Sequence, residues 1–68
     1  MNMMEEHSYY GVAYTDETNH RIRRRFIFAE GKYGEARAAA RSFVEELENS
    51  TSIRDIKAYR IGKKAVTL

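Results

Sequence analysis

The stretch Asp16-Glu17-Thr18-Asn19-His20 decides the fold, because it sets five polar residues between two runs that read as strands. Asp, Asn and Thr side chains bond to their own backbone and favour a reversal of the chain. Before it, Ser8-Tyr9-Tyr10-Gly11-Val12-Ala13-Tyr14-Thr15 is rich in the aromatic and β-branched residues that suit a pleated, half-buried strand. After it, Arg21 to Ala29 resumes the strand pattern, with Ile22, Phe26 and Phe28 on one face and Arg21, Arg23, Arg25 and Ile27 on the other. The set containing Phe26 and Phe28 is expected to join Val12 in the core. Arg24 intrudes on that set, so an edge position or a bulge is expected beside it.

Further out, Glu30-Gly31-Lys32-Tyr33-Gly34 breaks the second strand, and from Glu35 the apolar period becomes that of a helix. Ala36, Ala39, Ala40, Phe43, Val44 and Leu47 fall at i, i+3, i+4, i+7, i+8 and i+11, one continuous stripe. Gly34 suits the N-cap, and Glu35 lies in the positive first turn. Asn49-Ser50-Thr51-Ser52 ends the helix, with Asn49 suited to a left-handed C-terminal position. Ile53 to Ile61 reads as a third strand. Gly62-Lys63 carries a Gly-X hairpin signal, which leaves Lys64-Ala65-Val66-Thr67-Leu68 as a short fourth strand.

The expectation is therefore an α+β fold of order ββαββ, with a flexible tail over residues 1–7 and one domain over 8–68. Its four-stranded antiparallel sheet would run 2-1-3-4, with the single helix packed on one face. The uncovered face would carry Tyr9, Arg21, Arg23, Arg25, Ile27, Lys57, Tyr59 and Ile61. Tyr10 and Tyr14 share a face with Val12 and belong to the core. An exposed patch of Ile27, Tyr59 and Ile61 would favour a two-fold homodimer through that face.

At 68 residues, with no cysteine and no proline, the chain has neither disulfides nor thiolate metal sites to reinforce a small core. It holds no apolar run of membrane-spanning length and no leader pattern at its start, so a soluble, cytoplasmic protein is expected. The net charge of +2 conceals segregation. Residues 1–20 sum to −4, 21–25 to +4, 26–50 to −2 and 51–68 to +4.

No catalytic constellation is legible. His7 and His20 have no third ligand at metal spacing, no nucleophile stands with a base, and the glycines around Lys32 lack the phosphate-loop spacing. The chain is read as non-enzymatic, without cofactor or metal. Alternate arginines on a strand project about 6.6 Å apart, close to a phosphate spacing, so the basic strand is the main functional clue. Candidate partner contacts are Arg21, Arg23, Arg24, Arg25, Lys57, Arg60, Lys63 and Lys64, with Tyr9 and Tyr59 as stacking platforms. Tyr33 is a further interface candidate. Two alternatives stand beside nucleic acid, DNA foremost: arginines that pair with Glu17 or Glu5 and guard a sheet edge, and arginines that meet an acidic protein or nucleoprotein surface.

Two segments resemble parts of the AP2-type DNA-binding domains of plant factors, phage integrases and homing endonucleases. Tyr10-Gly11-Val12 is similar to that family's opening strand, and Lys32-Tyr33-Gly34-Glu35-Ala36, leading into Ala39 and Ala40, to its entry into the helix. The resemblance covers about a fifth of the chain. It implies a sheet laid in the DNA major groove, with Arg21, Arg23 and Arg25 as contacts. In size and charge the chain also resembles small phage-encoded inhibitors of bacterial defence systems, anti-CRISPR proteins among them, which implies a host protein or nucleoprotein partner.

Overall fold

The structure, a computed structural model, describes residues 4–67, with side chains described for residues 7–62. Strand β1 (Met4–Thr18) and strand β2 (Arg21–Lys32) form a long hairpin, helix α1 (Glu35–Glu48) returns along it, and strand β3 (Ile53–Thr67) closes the fold. The sheet is three-stranded and antiparallel, ordered β2-β1-β3. The helix brings the chain back to the hairpin end, so β3 starts there and pairs with β1, Asp16 opposite Ile53.

This corrects the four-stranded expectation. Gly62-Lys63 does not turn, and β3 runs through it to Thr67. The glycine signal marks a bulge instead. Tyr9 pairs with Gly62 and Tyr10 with Arg60, which leaves Ile61 as the extra residue. A second shift lies between Ala13 and Thr15, where Asp55 takes a left-handed φ of 55°. At the other end, β1 takes in Met4–His7, four residues of the segment read as a tail. Asn49 caps the helix in right-handed geometry, φ −79°, rather than left-handed, while Gly34 at φ 88° is the N-cap.

The hairpin turn is two residues long, Asn19 and His20, at φ 53° and 64°. Positive φ at both central residues is the primed turn that matches the twist of paired strands. Such a turn fixes register, and here it sets Thr18 opposite Arg21, Val12 opposite Ile27 and Tyr10 opposite Ala29. Ile27 and Ala29 therefore share the helix-side face with Tyr10, Val12 and Tyr14. Ile22, Phe26 and Phe28 are turned to the other face, against the expectation. A one-residue change in register exchanges every side chain between faces, and the two-residue turn leaves no choice.

The core is small. Val12, Ala29, Ala40 and Leu47 are buried together, with Tyr10, Tyr14, Ile27, Phe43, Val44, Ile53 and Ile56 packed around them. Ala36 and Ala40 let the helix lie close on the sheet. The molecule measures 57 × 17 × 13 Å. Fifteen-residue strands reach about 50 Å and a fourteen-residue helix about 21 Å, so the helix covers less than half the length of one face. No helix among the described residues is long and apolar enough to cross a membrane.

Candidate binding surfaces

Two surfaces lie outside the helix's cover, and register divides the candidate residues between them. The first is the hairpin end of the helix-side face. Arg21, Arg23 and Arg25 alternate along β2 opposite Thr18, Asp16 and Tyr14, beyond the reach of the helix C-terminus. Asp16 is held from both sides: the Thr18 hydroxyl donates to its Oδ1 at 2.7 Å and Arg25 Nε donates to its Oδ2 at 3.1 Å. The pair fixes Arg25. Arg21 and Arg23 are exposed and make no ion pair among the described residues. With Asp16, Thr18 and Asn19 these three arginines line a shallow concavity.

The second surface is the whole face opposite the helix. Arg24 belongs here, its Nη1 donating to the buried Thr15 Oγ1 at 2.8 Å. β2 is indeed an edge strand, and its pairing with β1 passes Arg24 without a bulge. Ile22 (62% exposed), Phe26 (50%), Phe28 (51%), Tyr59 (41%) and Ile61 (49%) make the face apolar. The rings are in contact range, with centroids 5.7 Å apart for Tyr9 and Phe28 and 6.3 Å for Phe26 and Tyr59. A Cβ on Gly11 would meet Phe26 Cε2 at 2.5 Å, so the tip of that ring lies over the glycine. His7 stacks near Tyr9 and stands 3.4 Å from Glu30.

The expected mixed face of tyrosines and arginines is thus two surfaces. Tyr9, Arg24, Lys57 and Tyr59 lie on the open face, since Lys57 pairs with Ala13 and Tyr59 with Gly11. Arg21, Arg23 and Arg25 lie on the helix side, not on the uncovered face where the strand pattern had put them. Arg60, opposite Tyr10, is also on the helix side, and Ile27 packs against the core rather than joining an exposed patch. The side chains of Lys63, Lys64 and Glu5 lie outside those described. Glu17 pairs with Arg54 at 2.9 Å, and among the described residues Arg25 with Asp16 is the one ion pair of the β2 arginines. The sequence reading missed Ile22, Phe26 and Phe28 as surface residues; the Asn19-His20 pair, taken as the entire turn, would have placed them.

His20 sits in the turn and His7 in the open face, and among the described residues no three His, Cys, Asp or Glu side chains gather as metal ligands do. In comparisons with family models, curated proteins and solved structures, nothing matches this chain.

Proposed function

We propose that this chain is a non-enzymatic binding protein whose hairpin end takes a polyanion, with nucleic acid, and DNA foremost, as the ligand in a cytoplasmic setting. The observation that carries the reading is the pair Arg21 and Arg23, exposed on one face of β2 and without an ion pair among the described residues, beside an Arg25 held in place by Asp16. Their spacing of about 6.6 Å is close to two steps of the ~3.4 Å axial rise between phosphates on one strand. A guanidinium fork is the side chain best shaped to bond phosphate oxygens. Thr18 and Asn19 add neutral polar groups at the rim of the concavity, of the kind that position a backbone without reading sequence.

Titration of labelled duplex and single-stranded DNA over a range of salt tests this. Two free arginines that displace counterions give a slope of log affinity on log salt of about −2, and Arg23→Ala lowers it by about one unit. No binding at low salt would overturn the reading and leave an acidic protein surface, the inhibitor alternative, as the ligand of the same arginines.

A further inference from the structure

The geometry points to a second copy of this chain as the occupant of the open face, stacked sheet on sheet about a two-fold axis that runs across the strands at the level of Val12 and Ile27. Size is the first argument. Ile22, Phe26, Phe28, Tyr59 and Ile61 put on the order of 500 Å² of apolar side chain on one face, the upper range for a monomer surface. Two such faces with their polar rims remove on the order of 1,000 Å² or more, where specific interfaces begin.

Charge chooses the partner and the axis. On the open face of β2 the order is Ile22, Arg24, Phe26, Phe28, Glu30, Lys32. Arg24 lies three residues to one side of Ile27, and Glu30 lies three to the other. An axis across the strands at that level sets each Arg24 against the other copy's Glu30 and brings Phe26 against Phe28. On β1 the same operation sets Glu17 near His7 and lays Gly11 against Ala13, the two small residues that make room for the rings. On β3 it brings Lys57 over Tyr59, a favourable cation and ring contact. An axis along the strands would instead lay Arg24 over Arg54, like charge on like. Aligned sheets pack about 10 Å apart within about 30° of each other, which long side chains span.

Arg24 and Glu30 of one chain stand about 20 Å apart along the strand, so they cannot meet each other within it. That makes the test specific. Sedimentation of the full chain in buffer free of nucleic acid should show a dimer. Arg24→Glu alone and Glu30→Arg alone should each weaken it on the order of tenfold to a hundredfold. The double variant Arg24→Glu/Glu30→Arg should restore it, and the two single variants mixed should form a heterodimer. Circular dichroism on each variant confirms that the helix is intact. A monomer at every concentration would overturn the proposal. So would a dimer indifferent to both single changes, or one that the double variant fails to restore.

Discussion

At the scale of single residues, glycines mark where backbone meets neighbour, and they make opposite predictions on the two faces. A Cβ on Gly31 would stand 2.5 Å from Glu35 Cβ and 3.0 Å from the Ala36 backbone nitrogen, atoms of the helix's first turn that cannot move without the helix. Gly31→Ala should therefore cost about 1–3 kcal/mol, lowering the thermal midpoint by several degrees; an unchanged melt would contradict the close helix entry. At Gly11 the nearest atoms are the tip of the Phe26 ring, at 2.5 and 2.6 Å, on a side chain half open to solvent. Gly11→Ala should cost less than about 1 kcal/mol, because the ring can swing outward. A large loss there would put Phe26 back in the core. His20 holds φ 64°, where a side chain is strained and glycine is not. His20→Gly should stabilise the hairpin by about 0.5–1 kcal/mol, read as a raised midpoint in the same melts.

At the scale of elements, the helix was legible except for the right-handed geometry of its end at Asn49, since its stripe from Ala36 to Leu47 repeats with one period and Gly34 and Glu35 mark its start. Leu47→Ala should cost about 2–4 kcal/mol in chemical denaturation, and a loss below 1 kcal/mol would contradict the packing of the helix's last turn. The hairpin was legible as a hairpin, and β2 as a strand with Phe26 and Phe28 on the face opposite Ile27. Which of those faces lay inward was not. Both carry apolar residues, and the choice rests on whether two or three residues make the turn, a difference of one that composition does not record. Gly62 misled for a related reason. Glycine serves equally at a hairpin and at a bulge, and only the partner strand, β1 reaching back to Met4, shows that β3 has something to pair with beyond it. The arginines on β2 were legible as a cluster, but their division between Arg24 on one side and Arg21, Arg23 and Arg25 on the other follows from the same register.

At the scale of the molecule, which is 57 Å long, a thin sheet has one face partly covered by a short helix and the other covered by no element among the described residues. Among the described residues only Val12, Ala29, Ala36, Ala40 and Leu47 are buried apolar residues, and three of the five are alanines. A second sheet against the open face would supply the missing core, and the thermal midpoint should then rise with protein concentration; a midpoint independent of concentration would contradict the stacked pair. Stacking on the open face leaves the hairpin arginines outward, so the two surfaces can act independently. The central claim is that the polyanion meets the helix side of the hairpin and not the open face, although both sides carry cations. Affinity for a short DNA duplex at low salt, compared between Arg21→Ala/Arg23→Ala and Arg24→Ala/Lys57→Ala, tests it most directly. The account predicts a loss on the order of tenfold or more for the first pair and an affinity unchanged within about twofold for the second. Equal losses, or a greater loss from the second pair, would contradict it.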